Sequence, residues 1–562
     1  MPLLRIAIAQ INPTVGDLSG NSDQLITYIR KATNLGVDLI AFPELAITGY
    51  PPEDLLLKKS FISDNISMAN NVANKTKNIV AVYGFAENKD HKLYNSAAIA
   101  TQGSILATQK KLHLPNYGVF DEKRYFASSK EQNIFNINNV NVGINICEDI
   151  WYKKPTRTLS NAGASIIINI NGSPFEKGKK EKRKNILTQQ AIANNVYIAY
   201  INMFGGQDEL VFDGGSLLIG PKGSILCESP QFREDFFIYD ISITNNSIKE
   251  TTKIKNFLIE GNSEKPPLIN KVKPDCTLSK TEEILQALIL GTRDYVLKNG
   301  FKSVLVALSG GIDSSVVTAI AVEALGAKNV TCLSMPSDFS SEGSKSDAII
   351  LCENLGIQLH TLPITEMFNS TYKTLAGIFY GNDPDVTEEN IQSRIRGLLV
   401  MAVSNKHGHL VLTTGNKSET AVGYSTIYGD MAGGFSVIKD VPKTIVYQLA
   451  IHINTKTDKE IIPYSVISKA PSAELRPNQK DSDTLPEYAI LDEIIELYVE
   501  KNMGYKEIVA TGLDPIIVSH IIDLINKNDY KRRQSAPGIK ITQRSFDKDR
   551  RMPLTNKYTG YQ

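Results

Sequence analysis

The sequence predicts an α/β protein made of two successive domains, and three observations support this prediction. Short apolar runs rich in isoleucine and valine alternate with amphipathic segments in both halves of the chain, which is typical of buried strands connected by helices. The length of 562 residues exceeds what one ordinary hydrophobic core can organise. Between the halves, residues 246–278 lose the periodic pattern and contain Pro266-Pro267. We therefore predict a linker there, between domains at 1–245 and 279–562.

The first half contains several segments that we predict to be buried strands. Each is short and dominated by isoleucine, valine, leucine or alanine, which favours a strand over a piece of helix. Between them, Asn21–Leu35 and Lys182–Asn194 have the mixed composition of surface helices. The predicted strands are Ile6–Ala9, Leu39–Phe42, Ile79–Gly84, Val142–Ile146, Ile166–Ile170 and Tyr197–Ile201.

The second domain begins with a predicted helix. Ser279 and Thr281 are both candidate N-caps, because acidic residues follow closely behind them. Apolar residues then recur at helical spacing up to Gly300, which is a natural helix terminator. Val304–Leu308 and Val330–Leu333 are predicted as the first two strands of a second sheet.

Composition and charge exclude several classes of partner. The formal net charge is only +1, so the chain as a whole gives no electrostatic reason to bind nucleic acid or a membrane surface. No apolar run is long enough for a membrane-spanning helix, and Arg5 interrupts the N-terminal run where a signal peptide would be apolar. The five cysteines are scattered, which is typical of reduced thiols and not of a disulfide framework. We therefore expect a cytoplasmic protein.

Three chemically complementary residues of the first domain follow predicted strands or short apolar runs. Glu44 lies in FPELAITGY, Lys111 in KKLHLPNYGVF and Cys147 in GINICEDIW. Functional side chains collect where the strands of an α/β sheet open into loops. A thiol is a strong nucleophile only as the thiolate, so Cys147 needs a base, and Glu44 could take its proton. Lys111 and the backbone N–H after Cys147 could stabilise the oxyanion that forms in acyl transfer.

Each of these residues also has a simpler explanation. A cysteine that ends a strand is more often an inert buried thiol, and isolated glutamates and lysines are usually on the surface. His113, His407 and His409 have no partners at the spacing of a metal site. We assign no metal to any histidine.

Taken together, the three segments resemble the glutamate–lysine–cysteine triad of the nitrilase superfamily. LPNYGVFDEKRYF and ICEDIW are similar to its glutamine-hydrolysing branch, and the resemblance covers roughly residues 1–240. It implies an αββα sandwich in which Glu44 is the general base, Lys111 supports the oxyanion and Cys147 is the nucleophile.

The same resemblance extends to further residues. Glu122 matches a second glutamate of the family, which supports the lysine. Lys110 is a rival for the catalytic lysine, but Leu-Pro follows Lys111 at the distance that the family pattern requires. The residues implied to bind glutamine are Tyr117, Glu148, Ser173 and Lys179.

A glycine-rich turn follows the strand predicted at Val304–Leu308. Its sequence, SGGIDSS at residues 309–315, would let backbone N–H groups approach an anion at the N-terminus of a helix. It is not a Walker A loop, because the lysine that reaches the β- and γ-phosphates is missing. Asp313 in its place suits a Mg²⁺ that bridges phosphates. A short SGG alone would be equally compatible with an ordinary strand–helix turn.

The full string SGGIDSS resembles the signature loop of the N-type ATP pyrophosphatases. That resemblance implies a doubly wound, mostly parallel sheet and cleavage of ATP to AMP and pyrophosphate. LTTGNKSETAVGYSTIYGD, APSAELRPNQKDSDTLPEY and NDYKRRQSAPGIKI resemble the NAD synthetase branch, across nearly all of residues 280–545. The residues implied to bind ATP are Ser309, Gly310, Gly311, Ile312, Asp313, Ser314, Ser315 and Thr414. Those implied to bind deamido-NAD are Asn390, Glu419 and Lys531, and Asp313 and Glu419 would be the Mg²⁺ ligands.

Two charged segments of the second domain allow more than one interpretation. Composition alone predicts a mobile solvated loop at Ala473–Leu485, and we expect it to close over bound substrate. The basic residues Lys531–Arg533 would ordinarily be exposed to solvent, but here they could bind the phosphates of a dinucleotide. The sequence after about Phe546 contains no motif that predicts a role.

The two resemblances together predict an enzyme that hydrolyses glutamine and uses the ammonia to amidate deamido-NAD (nicotinic acid adenine dinucleotide). ATP and Mg²⁺ would activate the carboxylate, and the products would be NAD, AMP, pyrophosphate and glutamate. One alternative is another glutamine amidotransferase on the same ATP-binding fold, making GMP or asparagine. A second is a nitrilase-type amidase with an adenine-nucleotide sensor domain. A third, a non-catalytic scaffold, is disfavoured by the complete triad. The family is commonly oligomeric, so we expect a homo-oligomer with small-molecule substrates.

Overall fold

The computed structural model describes residues 2–243, 246–248, 254–259 and 277–558. The chain divides into two compact units that change over between Leu278 and Ser279, apart from Asp208–Leu210, which are grouped with the second unit. Each unit has its own sheets, flanking helices and hydrophobic core.

The first unit contains two large sheets and a small hairpin. Its strands are β1 (Leu3–Gln10), β2 (Leu39–Ala41), β3 (Val80–Lys89), β4 (Lys92–Thr101), β5 (Ser104–Lys110), β6 (Asn133–Ile137), β7 (Val140–Ile146), β8 (Ile166–Asn171), β9 (Tyr197–Asn202), β10 (Phe204–Gln207), β11 (Leu210–Asp213), β12 (Leu217–Ile219), β13 (Ile225–Glu228), β14 (Asp235–Ser242) and β15 (Lys255–Ile259). Its α-helices are α1 (Leu18–Asn34), α2 (Lys59–Ala73), α3 (Lys153–Asn161) and α4 (Lys179–Asn194). Short 3₁₀ helices cover Glu53–Leu57, Glu122–Arg124 and Cys147–Trp151.

The two large sheets pack face to face between two layers of helices. Their strand orders are β14-β1-β2-β3-β4-β5 and β13-β12-β9-β8-β7-β6-β15. Alternate strand residues face opposite ways, so Ile8 and Ile168 lie in the core between the sheets. Ile40 instead packs under α1 and α2, and Ile167 packs under α3 and α4. The predicted αββα sandwich is confirmed.

This arrangement brings the ends of several strands to one edge of the sandwich. The central strands β1, β2 and β3 are parallel, as are β7, β8 and β9. Glu44 follows β2, Lys111 follows β5 and Cys147 follows β7. All three residues therefore lie where strands open into loops, as the sequence predicted.

Part of the predicted linker forms a strand of the first unit. β15 pairs in parallel with β6, and the Phe257 ring stacks on Phe135 with ring centroids 5.3 Å apart. The prediction of a linker over all of 246–278 is therefore wrong at 255–259. The strand was not predicted because the sequence around this short apolar run is charged and contains proline. Residues 260–276 lie outside the described part of the chain, and the domain boundaries themselves stay a prediction.

The second unit is built around one parallel sheet. Its strands are β16 (Val304–Ala307), β17 (Val330–Ser334), β18 (Gln358–Thr361), β19 (Leu410–Thr413) and β20 (Phe435–Ser436). Its α-helices are α5 (Lys280–Lys298), α6 (Ile312–Leu325), α7 (Glu342–Leu355), α8 (Thr365–Phe379), α9 (Val386–His407), α10 (Lys417–Val422), α11 (Lys443–Thr457), α12 (Tyr464–Ser468), α13 (Tyr488–Ile495), α14 (Tyr505–Val509), α15 (Pro515–Lys527) and α16 (Asp529–Arg532). Ala327–Asn329 and Asp481–Asp483 are 3₁₀ helices, and Glu496–Glu500 is a π-helix.

The strand order β18-β17-β16-β19-β20 confirms the predicted doubly wound sheet, because the chain starts in the middle and builds outward in both directions. Ser279 is the N-cap of α5, since its Oγ accepts a hydrogen bond from the N–H of Glu282 at 3.1 Å. Past Phe546, where the sequence has no motif, Arg550 is buried and donates to Asp529 at 3.0 Å. Throughout the described residues, every helix is too short or too polar to cross a membrane.

Candidate active sites

The first site contains a buried ion pair between a glutamate and a lysine. The Nζ of Lys111 lies 2.6 Å from Oε1 of Glu44, and both side chains are 0% exposed. The same Nζ lies 2.7 Å from Oε1 of Glu122. Burial opposes the charge of Lys111, but Glu122 and Glu44 outweigh it and hold the pKa of the ammonium well above its usual value. The rival Lys110 instead places its Nζ 3.9 Å from the Tyr94 ring centroid.

Several groups that the sequence analysis missed hold the two glutamates in place. Asn95 donates from Nδ2 to Oε1 of Glu44 at 2.7 Å, and the N–H of Gly172 donates to Oε2 at 2.8 Å. Tyr50 donates its hydroxyl hydrogen to Oε1 of Glu122 at 3.0 Å. Asn95 and Tyr50 lie far from their partners along the chain, and no local pattern marks them. Their hydrogen bonds fix the orientation of the carboxylates around Lys111.

Cys147 occupies a tight turn at the end of β7. Its φ of +43° is in the left-handed region, which is unfavourable for a residue with a side chain. The thiol is only 5% exposed. Burial raises its pKa well above the usual value, the charge of Glu44 raises it further, and Lys111 partly opposes the shift. The structure therefore brings Glu44, Lys111 and Cys147 into one electrostatic group, in which the resting sulfur is a protonated thiol that needs a base.

The residues predicted to bind glutamine lie around this group. The exposed Tyr117 donates its hydroxyl hydrogen to Oε2 of the buried Glu148 at 3.0 Å. Burial lowers the pKa of Lys179 to about 8, and its charge interacts with Glu148 and Cys147. Ser173 is buried and directly follows Gly172, whose N–H donates to Glu44. The ammonium of Lys179, the carboxylate of Glu148 and the hydroxyl of Tyr117 all interact electrostatically with Cys147, and such a set suits a zwitterionic amino-acid ligand.

The second site is a cavity of about 440 Å³ in the second unit, at the carboxyl ends of β16, β17 and β19. Its size and its position at the edge of a parallel sheet suit a nucleotide. Gly310 and Ser315 of the predicted loop do not line it. The predicted residues that line the cavity are Ser309, Gly311, Ile312, Asp313, Ser314, Asn390, Thr414, Glu419 and Lys531.

The glycine-rich loop has the backbone geometry that an anion site needs. Gly310 has a φ of +79°, and a Cβ there would be 2.1 Å from the carbonyl oxygen of Ser344, so only glycine fits. Gly311 is the N-cap of α6 and provides no side-chain capping group. The first N–H groups of this helix are therefore available to an anion in the cavity.

Lys443, which the sequence analysis missed, lies between the two predicted metal ligands. Its Nζ is 3.1 Å from Oε1 of Glu419 and also contacts Oδ2 of Asp313. Asn416 donates from Nδ2 to Oδ1 of Asp313 at 2.9 Å, and its backbone N–H donates to Glu419 at 3.3 Å. Burial raises the pKa of Glu419 to about 7, with Lys443 opposing the shift and Asp313 adding to it. The sequence around Lys443, DVPKTIV at residues 440–446, contains no local pattern that marks this lysine as a partner of residues so far from it along the chain.

The two carboxylates could hold a divalent cation only with help from a substrate. Oxygens of Asp313 and Glu419 converge on one position, which the Lys443 ammonium now occupies as a cation. No cluster of three or more histidine, cysteine, aspartate or glutamate side chains suited to a metal occurs among the described residues. Two carboxylates with phosphate oxygens completing the shell is the arrangement that Mg²⁺ commonly takes in nucleotide sites.

The side chains of the basic run at 531–533 lie in two different environments. Lys531 lines the cavity and donates from Nζ to the carbonyl oxygens of Gly423 and Ser425, each at 2.8 Å. Arg532 is buried and donates to the carbonyl oxygen of Ala421 at 2.7 Å. The prediction that this run as a whole meets phosphates is therefore wrong for Arg532, which packs inside the unit.

The segment predicted to be a mobile loop is attached to the rim of the cavity. Glu474 accepts hydrogen bonds from the hydroxyls of Ser341 and Ser344, each at 2.8 Å. Just before the segment, Lys469 donates to a carbonyl of the glycine-rich loop at 2.7 Å. These contacts place Ala473–Leu485 where closure over a ligand is possible.

Comparison with known proteins covers the whole chain. A family model described as carbon-nitrogen hydrolase matches residues 5–249, and one described as NAD synthase matches residues 284–535. A glutamine-dependent NAD(+) synthetase of Thermotoga maritima is 46% identical, covering 99% of both chains. One of Acinetobacter baylyi is 41% identical, again covering 99% of both chains.

Solved structures agree with this result. The glutamine-dependent NAD⁺ synthetase of Acinetobacter baumannii, in complex with adenosine diphosphate, is 39% identical, with a TM-score of 0.77 and complete coverage of both chains. The glutamine-dependent NAD(+) synthetase of Cytophaga hutchinsonii shares the fold, with a TM-score of 0.82 at 22% identity over 99% of this chain and 98% of that one. From the paired family models and the identity along the full chain, we conclude that this protein belongs to the glutamine-dependent NAD(+) synthetase family.

Proposed function

We propose that this protein converts deamido-NAD to NAD with ammonia taken from glutamine, while ATP is cleaved to AMP and pyrophosphate. The observation that carries the proposal is the coexistence in one chain of the buried Glu44–Lys111–Cys147 group and a nucleotide-sized cavity facing an uncapped helix N-terminus. The first can release ammonia from an amide, and the second can activate a carboxylate with ATP.

Glutamine hydrolysis begins with Glu44 accepting the proton of the Cys147 thiol, since the buried sulfur is protonated at rest. The sulfur attacks the side-chain amide carbon of glutamine, and the amide oxygen becomes an oxyanion. Lys111 and the N–H of Glu148 stabilise that charge. Glu44 then returns the proton to the departing nitrogen, ammonia leaves, and a thioester remains on the sulfur. Water activated by Glu44 attacks the thioester and releases glutamate.

NAD synthesis needs an activated carboxylate, because a carboxylate is unreactive toward amines. The nicotinate carboxylate oxygen attacks the α-phosphorus of ATP, the bond to the β-phosphate breaks, and pyrophosphate leaves. Ammonia attacks the acyl carbon of the resulting adenylate and expels AMP, giving the amide of NAD. The N–H groups at the start of α6 would bind phosphate oxygens and hold the nucleotide in line for the first step.

We propose that Asp313 and Glu419 hold a Mg²⁺ together with phosphate oxygens of ATP. The fit rests on their convergence on one cationic position. When bound, the ion would neutralise charge that develops on the phosphates. Lys443 would be displaced toward the phosphates and would stabilise the same charge.

The remaining assignments complete the proposal. Tyr117, Glu148, Ser173 and Lys179 would bind glutamine, and Glu122 would hold Lys111 in place. Thr414 and the 309–315 loop would bind ATP, and Asn390, Glu419 and Lys531 would bind deamido-NAD. A homo-oligomer remains a prediction from the family resemblance, and a cytoplasmic location remains a prediction from the sequence composition.

A panel of acceptors tests the assignment of the synthetase reaction. The purified protein is supplied with ATP, Mg²⁺, ammonium and one of deamido-NAD, xanthosine monophosphate or aspartate, and AMP release is measured. We expect AMP only with deamido-NAD. Release of AMP with either of the other two acceptors would replace the proposal with another amidotransferase of the same fold.

A further inference from the structure

A carboxylate outside the triad connects the chain segments that carry two of its members. Asp149 is 0% exposed. Its Oδ1 accepts the N–H of Leu112 at 3.1 Å and the N–H of His113 at 2.8 Å. Its Oδ2 accepts the N–H of Ile146 at 3.1 Å. One side chain therefore links the residues directly after Lys111 to the residue directly before Cys147.

This carboxylate is costly to bury, and among the described residues its hydrogen-bond donors are backbone N–H groups rather than charged side chains. Burial raises the pKa of Asp149 to about 7, and the three backbone hydrogen bonds and the more distant charge of Lys111 partly oppose that shift. Burying an acid that bonds to backbone N–H groups has a desolvation cost, which an apolar residue at this position would avoid. Its hydrogen bonds fix the relative position of two separate segments, which an apolar residue could not do.

The turn that Asp149 stabilises has little tolerance for movement. Cys147 adopts a left-handed φ of +43°, which the surrounding structure must maintain against its intrinsic cost. The next residue, Glu148, supplies the N–H that, with the Lys111 ammonium, would face the oxyanion. These donors come from segments far apart in the sequence, and their spacing sets how well they match the transition state.

We infer that Asp149 is a positioning residue for glutamine hydrolysis, which clamps the turn of Cys147 to the segment of Lys111 and so fixes the spacing of the two oxyanion donors. This inference rests on the proposed function of the triad. Asp149 does not touch the substrate, so it contributes to the rate and adds little to glutamine affinity. Loss of the clamp should therefore lower kcat for glutamine hydrolysis far more than it changes KM.

The test compares D149N with T156V in the full-length protein. An asparagine has the same shape but presents an NH₂ group where one oxygen was, so at least one side of the clamp is lost. Thr156 is equally buried and bonds to Asn145 of β7 at 3.1 Å. T156V therefore removes one buried hydrogen bond near the site without touching the clamp. For each variant we would measure kcat and KM of glutaminase activity, ammonium-driven NAD synthesis and the thermal midpoint of unfolding.

We expect D149N to lower kcat by about 10²-fold with KM changed by less than about fivefold, because small misplacements of catalytic groups have effects of this size. T156V should lower kcat by less than about threefold, even if its thermal midpoint falls as much as that of D149N. Ammonium-driven synthesis should be unchanged in both. Should D149N not fold, D149E retains the carboxylate but displaces it by one methylene, and the same fall in kcat is expected.

A kcat for D149N or D149E within about twofold of the T156V value, or a rise in KM alone, would overturn the positioning role. A C147A control distinguishes failure of this inference from failure of the proposed triad. If the triad assignment were wrong, C147A would still hydrolyse glutamine. Loss of hydrolysis in C147A with normal kcat in D149N would leave the triad intact and reject only the clamp.

Discussion

The Nζ of Lys443 lies 3.1 Å from Oε1 of Glu419, in a cavity where the same ammonium also contacts Asp313. This lysine pairs with both of the carboxylates that we propose as Mg²⁺ ligands. If the two carboxylates hold Mg²⁺ as we propose, binding of the nucleotide with its metal would displace Lys443 from both of them. Such an exchange would make the proposed synthetase site sensitive to charge and pH, while the proposed glutaminase triad consists of separate groups of the other unit.

Replacing the nucleophile should separate the two activities. C147A should lose glutaminase activity and glutamine-driven NAD synthesis by about three orders of magnitude or more, while ammonium-driven synthesis stays nearly unchanged. C227A, at a buried cysteine of the same core cluster, is the matched control and should retain both activities. Glutamate release and NAD formation are measured with each nitrogen source. A C147A protein that still hydrolysed glutamine would show that the triad assignment is wrong.

Replacing Asp313 should abolish NAD synthesis and leave glutamine hydrolysis in place, which is the reverse of the effect of C147A on the two reactions. D313A removes one of the two carboxylates around the cation position, so adenylation should be lost and NAD synthesis should fall by at least about 10²-fold from either nitrogen source. Glutamine hydrolysis should persist. D338A, at an exposed aspartate of the same unit, is the control and should be close to wild type. Normal ammonium-driven synthesis by D313A would reject the phosphate-loop assignment.

Binding of ATP with Mg²⁺ should weaken as the pH falls through 7. Glu419 has a pKa raised to about 7, so it becomes protonated below that pH and can no longer act as a metal ligand. We expect the Kd to be about tenfold larger at pH 6 than at pH 8, because a group with this pKa is roughly nine-tenths protonated at the lower pH.

Isothermal titration with a non-hydrolysable ATP analogue and Mg²⁺ measures this effect. The E419Q variant separates it from the titration of the phosphates themselves. E419Q should bind more weakly and lose most of the pH dependence. A wild-type Kd that varied with pH no more than the E419Q value would contradict the role of Glu419.

The positions of the central strands and of the glycine-rich turn could be predicted from local sequence patterns, whereas the αββα layers and the doubly wound sheet were implied by the family resemblances. Isoleucine-rich runs predicted the central strands, and SGGIDSS predicted the turn before α6. Partners that meet only in the folded chain were missed, among them Asn95 on Glu44 and Lys443 on Asp313. The strand β15 was missed because its apolar run is short and lies in a charged segment. Arg532 was misassigned because a basic run says nothing about which of its side chains is buried.

Ammonia should pass from the glutaminase reaction to the synthetase reaction without mixing with solvent. Only neutral NH₃ has the lone pair needed to attack the adenylate, and near neutral pH an amine in water is overwhelmingly protonated. A shielded route would keep it neutral and locally concentrated. With amide-¹⁵N glutamine and excess unlabelled ammonium at pH 7, NAD should contain more label than the bulk ammonia pool. Label equal to the bulk pool would mean that ammonia escapes before it reacts.

The most direct test of the central claim is the stoichiometry of the complete reaction. The wild-type protein is incubated with deamido-NAD, ATP, Mg²⁺ and glutamine, and NAD, AMP, pyrophosphate and glutamate are quantified over time. Each molecule of NAD should be accompanied by one AMP and one pyrophosphate, and ammonium should replace glutamine as the nitrogen source. Hydrolysis of glutamine with ATP bound but no AMP and no NAD formed would contradict the account, and would identify an amidase with a nucleotide-sensing domain.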